Sequence, residues 1–398
     1  MSDPSHATRR AVPHGRSKAV VMAACATLIL TASACGTEQA ARDSAAPAAP
    51  HALAADGLSL SGSSSSDGRN LVVYDNDWTS SGATSILPLL ADPKVKVLGT
   101  TVVTGDGWAS QGTADALSFF EKIGRRDVPV AEGFTYPLIN SPQRAYAFQK
   151  MYGGRKSWLG AFNRPDSGAD RPATEPGTLT KPPFGWAKSL KPSKEHAVDF
   201  LIDQVRAHPH QVTVVTAGPL TNVAGAIRKD PEFASLAKGI VIGGGNLYQL
   251  SPGEKDPGFN SSEGFNFRFD PEAAHIVLTA GWKKVTALGD VTSSVVFDDA
   301  MLARIKADKT PISDYVAKAG YVGYPIWDET TTEVAVDPGL IRQSIPLRMD
   351  VDISEGPDYG ATRVWADGDS PGLGEVEVRY VQAVDTKRVA DAFVNSTR

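Results

Sequence analysis

Leu71-Val72-Val73-Tyr74-Asp75-Asn76-Asp77-Trp78 is the stretch that decides the fold. Its apolar first half reads as a buried strand. Asp75 and Asp77 then fall at the C-terminal end of that strand, where ligands bind in an open α/β sheet. Residues at i and i+2 of an extended chain point the same way, so both carboxylates are expected to face one pocket. Two carboxylates that close repel unless a cation or a shared proton relieves them. A hard cation with oxygen ligands is the natural solution. The alternative is a loop-start pair that caps the helix after it.

Outward from this point the chain alternates strand-like and helical patterns. Strands are expected at Val95–Val103, Val128–Ala131, Val212–Thr216, Gly239–Ile242 and Lys284–Leu288, with helices at Ala109–Ile123, Glu195–Ala207, Asn222–Arg228 and Pro271–Ala280. A repeating βα pattern implies an α/β fold, a Rossmann-like open, mostly parallel sheet with helices on both faces. The C-terminal part is β-rich, with Leu347–Ile353, Thr362–Trp365 and Val376–Val384 before a last helix over Thr386–Phe393. Residues 136–193 break the rhythm with Pro, Gly and many aromatics, and read as a long insertion over the site.

The chain has 398 residues, enough for one large core, and ordinary globular hydrophobic (41%) and charged (21%) content. A net charge of −5 without a basic stripe gives no reason to expect nucleic acid as a partner. Residues 1–35 read as a signal peptide: Arg9, Arg10, Arg16 and Lys18 precede a short apolar run, Ala19 to Ala32, too short to span a bilayer. Ala32-Ser33-Ala34-Cys35-Gly36 resembles the end of a bacterial lipoprotein signal, which makes Cys35 a lipidation site and the protein a membrane-anchored export; ordinary secretory cleavage near Ala34 is the alternative. The cysteines are Cys25 and Cys35, so a lipidated Cys35 leaves the mature domain without a thiol. Residues 36–68 have the Ala/Ser/Gly/Pro composition of a flexible tether, and the folded domain is expected over 69–398.

Several separated segments, in order over roughly residues 70–395, resemble the inosine/uridine-preferring nucleoside hydrolases. They are Asp75-Asn76-Asp77, Thr101-Val102-Val103-Thr104-Gly105-Asp106, Ala217-Gly218-Pro219-Leu220-Thr221-Asn222, Phe265-Asn266-Phe267-Arg268-Phe269-Asp270-Pro271-Glu272-Ala273-Ala274 and Pro325-Ile326-Trp327-Asp328-Glu329. Asp75-Asn76-Asp77-Trp78, Trp327-Asp328-Glu329 and Tyr136-Pro137-Leu138-Ile139-Asn140 look like a divergent branch of secreted bacterial and fungal relatives. The resemblance implies Ca²⁺-dependent cleavage of the N-glycosidic bond of nucleosides, a role in nucleoside salvage, and a possible homo-oligomer. It implies Asp77 as general base; Asp75, Asp77, the carbonyl of Ala217 and Asp328 as Ca²⁺ ligands; and Asp106, Glu263 and Asn266 on the sugar. It departs from the family pattern at Ser81 and Gly82, where a pair of Asp residues is usual, and at Trp327, where a His is common.

Trp78, Trp108 and Trp327 border these motifs and are expected either to stack on a base or to fill the core. His196, His208, His210 and His275 lie outside the motifs and read as surface groups. Two other readings stand beside the hydrolase. Asp75-Asn76-Asp77-Trp78-Thr79, with Val295-Val296-Phe297-Asp298-Asp299 as a late acidic motif, fits a haloacid-dehalogenase-like phosphatase. A non-catalytic nucleoside- or sugar-binding lipoprotein fits the loss of acids at Ser81 and Gly82.

Overall fold

The computed structural model describes residues 68–152, 158–163, 175–247 and 264–398. The expected signal peptide with Cys35, nearly all of the tether, and Glu263 lie outside the described residues.

Among the described residues nine strands form one sheet: β1 (Asn70–Asn76), β2 (Val95–Val102), β3 (Val130–Glu132), β4 (Val212–Thr216), β5 (Gly239–Gly243), β6 (Val285–Leu288), β7 (Ile341–Val351), β8 (Thr362–Trp365) and β9 (Glu377–Val384). Their order across the sheet is β3-β2-β1-β4-β5-β6-β9-β7-β8. Every pair from β3 to β9 is parallel, and only β7 pairs antiparallel, with β9 on one side and β8 on the other. The first six strands follow the 3-2-1-4-5-6 order of doubly wound sheets, so the strand order reverses between β1 and β4 and opens a crevice at their C-terminal ends.

β1 is buried along its whole length. Its alternate side chains feed two separate cores. Val72 and Tyr74 join the layer containing Phe119, Phe120, Val334 and Phe393, whereas Leu71 and Val73 join the layer containing Leu201, Val223 and Val277. This is how an apolar strand with helices on both faces must behave. The fold expected from the sequence is the fold observed.

The helices Ala109–Ile123, Ala197–Ala207, Thr221–Lys229, Pro271–Leu278 and Thr386–Ser396 form where periodicity placed them, within a few residues. Others were missed. Pro142–Tyr152 is helical inside the expected irregular insertion, and Asp299–Ala307, Pro311–Ala319 and Trp327–Val336 fill a stretch that gave no strong period. Two of them carried start signals: Asp298 accepts from the Met301 N–H at 2.8 Å, and Thr310 forms a capping box with Pro311 at the first helical position.

Trp78 corrects one expectation. It is 1% exposed and packs among Tyr74, Phe119 and Phe120, with its indole N–H donated to Thr100 Oγ1 at 3.0 Å. Such a ring fills the core and cannot stack on a base. Trp78→Ala is expected to lower the unfolding free energy by about 3–5 kcal/mol in a denaturant melt, and Trp78→Phe by much less. Unchanged stability with a raised KM would restore the stacking role.

Candidate active site

The ends of β1, β2 and β4 and the start of the Trp327–Val336 helix meet over the crevice. Asp77 is 6% exposed. Its Oδ2 accepts the Asp106 backbone N–H at 2.7 Å, from the loop after β2. A Cβ on Gly105 would come within 2.2 Å of that same oxygen, and one on Gly218 within 2.9 Å of Oδ1. Glycine on both flanking loops is therefore what gives this carboxylate room. Asn76, also buried, extends its amide Nδ2 to the Ala217 carbonyl at 3.0 Å, Asp328 Oδ2 at 3.0 Å and Asp77 Oδ1 at 3.4 Å.

Asp75 does not join this group. Its Oδ1 accepts from the Thr101 hydroxyl and from Asn222 Nδ2 at 2.8 Å, and its buried Oδ2 has no hydrogen-bond partner. β1 ends at Asn76, so the alternation that should have aimed Asp75 and Asp77 into one pocket stops between them. Asp75 serves instead as part of a clamp. Asn222, which binds it, also donates to the Val102 carbonyl at 3.2 Å and accepts the Phe134 N–H at 3.0 Å, tying β1 to the ends of β2 and β3. Ser81 likewise turns away, its hydroxyl paired with that of Thr79 at 3.0 Å.

Charge is strained at the centre. Burial pushes Asp77 well above the usual carboxylate range, and the charges of Asp106 and Asp328 push it further against the pull of the Asp106 N–H. Asp328 is raised by burial and then by Glu329 and Asp106, with the Asn76 amide opposing. Asp75 is raised to about 6 by burial, partly offset by Thr101 and Asn222. Two buried acids, Asp77 and Asp328, both raised further by the charge of Asp106 and gathered at a switch point, are what an active site or a cation site looks like.

The rim is aromatic and polar. Trp327 is 39% exposed, next to Asp328, with its N–H donated to Ser293 Oγ at 3.0 Å. Trp158, from the insertion and missed in the sequence, donates its indole N–H to the Asp106 carboxylate and is 36% exposed. The Arg268 guanidinium donates to the Trp158 carbonyl at 2.7 Å, and the Ala161 N–H to the Gly105 carbonyl at 2.7 Å, so the insertion is fastened over the β2 loop. Trp108 is 5% exposed, packed against Tyr136 and Phe162; it supports the insertion from below. Asn266 donates to the Gly243 carbonyl at 2.8 Å at the end of β5, whose Gly243 lies against Ala217 and Thr331. The described histidines are elsewhere. His196 caps the Ala197–Ala207 helix, His208 ends it, His210 faces Lys283, and His275 pairs with Asp350 at 2.9 Å. An open cleft of about 720 Å³ is lined by Glu132–Leu138 and Ser193–His196, and none of the site acids borders it.

Acids gathered at the switch point of an α/β sheet mark this crevice as the active site, and the family the chain matches makes it a hydrolase acting on N-glycosyl bonds. The chain belongs to the inosine-uridine preferring nucleoside hydrolase family, whose sequence model matches residues 72–391. A pyrimidine-specific ribonucleoside hydrolase, RihB, of Escherichia coli O157:H7 is 27% identical over 303 residues, covering 73% of this chain and 86% of that protein. A probable uridine nucleosidase 2 of Oryza sativa subsp. japonica is 32% identical over 238 residues, covering 60% of this chain and 62% of its own length. Among solved structures, a plant nucleoside hydrolase superposes with a TM-score of 0.64 at 24% identity, over 82% of this chain and 98% of that one, a likeness of fold. The phosphatase reading loses its parts: Asp75, its nucleophile, is wholly buried, and Asp298 is spent as a helix cap.

The family depends on a metal ion. The residues here fit one. Asp77 Oδ1, Asp328 Oδ2 and the Ala217 carbonyl surround the Asn76 amide, an all-oxygen set apart from that nitrogen. Among the described residues no three His, Cys, Asp or Glu side chains group closely enough to hold an ion by themselves, so backbone or amide oxygens must complete the shell.

Beneath the site, Glu333 on the Trp327–Val336 helix is buried with Oε1 unpartnered. Burial, then Asp337, Glu329 and Asp92, raises its pKa to about 8. A folded-state pKa above the unfolded value means stability fully present below about 4.5 and lost as pH rises through about 8. Glu333→Gln removes that titration. Its stability is expected to match the parent below about pH 4.5, to exceed it by about 1.4 kcal/mol more for each pH unit between about 4.5 and 8, and to keep a constant lead above that. A difference independent of pH would show that Glu333 does not titrate there.

Proposed function

We propose that the chain is an exported, Ca²⁺-dependent N-ribohydrolase that cleaves nucleosides to free base and ribose, with Asp77 as general base. The observation that carries this reading is the Asp77 carboxylate, buried between Gly105 and Gly218 and crowded by Asp106 and Asp328. Crowding raises its basicity toward the operating pH, which suits a group that takes a proton from water. The Asp106 N–H fixes its orientation.

The reaction adds water to the anomeric carbon as the C–N bond breaks. The bond's electron pair leaves with the base, a proton from the attacking water passes to Asp77, and the departing base takes a proton from solvent, to which Asp77 afterwards returns its own. Positive charge grows on the sugar through an oxocarbenium-like state, and the nearby carboxylates oppose that charge. A bound Ca²⁺ would hold the ionised acids together and acidify a water and the sugar hydroxyls; Asp77, Asp328 and the Ala217 carbonyl would hold it. The Asp106 carboxylate and Asn266 are suited to accept and donate hydrogen bonds to sugar hydroxyls. Trp327 and Trp158 offer exposed faces for the base. Cys35 would anchor the mature protein in the membrane through lipid, placing salvage outside the cell.

A non-catalytic nucleoside binder is the second reading, favoured by the absence of carboxylates at Ser81 and Gly82. Purified protein is to be incubated with purine and pyrimidine nucleosides and Ca²⁺, following free base and reducing sugar. Hydrolysis is expected, abolished by chelation and restored by Ca²⁺. Asp77→Asn should lower kcat by about 100- to 10,000-fold. Tight nucleoside binding without any release of base would favour the second reading.

A further inference from the structure

Among the described residues, Asn76 is the group that touches all three oxygens of the proposed cation site, and nothing in the reaction above uses it. Its side chain is 1% exposed. Its Nδ2 meets the Ala217 carbonyl, Asp328 Oδ2 and Asp77 Oδ1 at 3.0, 3.0 and 3.4 Å, while its buried Oδ1 has no partner at all. The two ends of a carboxamide are nearly the same size, and a half-turn about its last bond exchanges them. One end stays unpartnered in either orientation, so that cost does not choose between them.

The distances do distinguish two roles. An atom standing where a Ca²⁺ ion belongs would lie about 2.3–2.6 Å from each oxygen. Neighbouring ligands on the surface of such a shell lie about 2.8–3.5 Å from one another, from the same bond lengths and angles of roughly 70–90°. The Asn76 amide terminus, at 3.0–3.4 Å from the three oxygens, has the spacing of a shell member rather than of the ion.

We propose that Asn76 is an oxygen ligand of the cation. It turns Oδ1 toward the ion when the ion is present and its NH₂ toward the same three oxygens when the ion is absent. In this chain it makes up for the carboxylates missing at Ser81 and Gly82. In the empty state the amide protons ease the repulsion between Asp77 and Asp328; in the loaded state the amide oxygen adds a ligand without adding charge. The inference rests on the Ca²⁺ dependence proposed above.

The test is calorimetric titration of Ca²⁺ into the purified protein without substrate, paired with the Ca²⁺-induced rise in melting temperature. The parent, Asn76→Ala, Asn76→Asp and Asp328→Asn are compared. The parent is expected to bind one ion and Asp328→Asn to lose it. Asn76→Ala should weaken binding by about tenfold or more, and Asn76→Asp, which adds a charged oxygen, should bind at least as tightly as the parent. Should the alanine variant fail to fold, the aspartate variant decides: weaker binding than the parent overturns the proposal. Parent-like or tighter binding by Asn76→Ala also overturns it while leaving the Ca²⁺ reading intact. No binding by the folded parent overturns both.

Discussion

The Asp77 carboxylate sits where charge is expensive. It is buried at the mouth of β1, squeezed between two glycine loops, and the charges that reach it belong to Asp106 and Asp328. Burial and like charges each disfavour ionisation, so the group must be neutral, hydrogen-bonded or matched by a cation. The rest of the site answers that constraint. The Asp106 N–H and the Asn76 amide reach it directly, and the Ala217 carbonyl completes an oxygen-lined space beside it.

The sheet makes this possible. Because β1 lies between β2 and β4, the loops after all three strands open into one crevice. The Asp75–Thr101–Asn222 clamp, fully inside, fixes how far those loops stand apart. The Trp327–Val336 helix then delivers Asp328 from far along the chain, and its Thr330, Thr331 and Thr332 are buried, Thr331 against Gly243 at the end of β5 and Thr332 donating to the Ser85 carbonyl at 2.7 Å. Rigidity in these supports and openness at Trp327 and Trp158 divide the labour between holding the acids and admitting a substrate.

How much of this was legible in the sequence follows the physics of each signal. Parallel strands buried on both faces are continuous apolar runs, and β1, β2, β4 and β5 were read directly. Asp77, Asp106, Ala217 and Asp328 converge because their motifs sit at strand and helix ends. Asp75 was misread because the two-residue period was carried one residue beyond the strand. Trp78 stayed open between two roles because a tryptophan beside an acid looks the same whether it faces a pocket or the core. Trp158 and Asn76 were missed for another reason: one lies in an insertion without periodicity, and the other matters through an amide contact that no spacing rule announces. The helices Asp299–Ala307 and Pro311–Ala319 were announced by their caps more than by their faces, and Trp327–Val336 has no side-chain cap to announce it.

The most direct measurement of the central claim is a crystal structure of the domain grown with Mn²⁺ as an anomalously scattering stand-in for Ca²⁺. An anomalous peak bounded by Asp77, Asp328 and the Ala217 carbonyl is the expected result. A peak bound elsewhere, with Asp77 and Asp328 left facing each other across the Asn76 amide, would contradict the account.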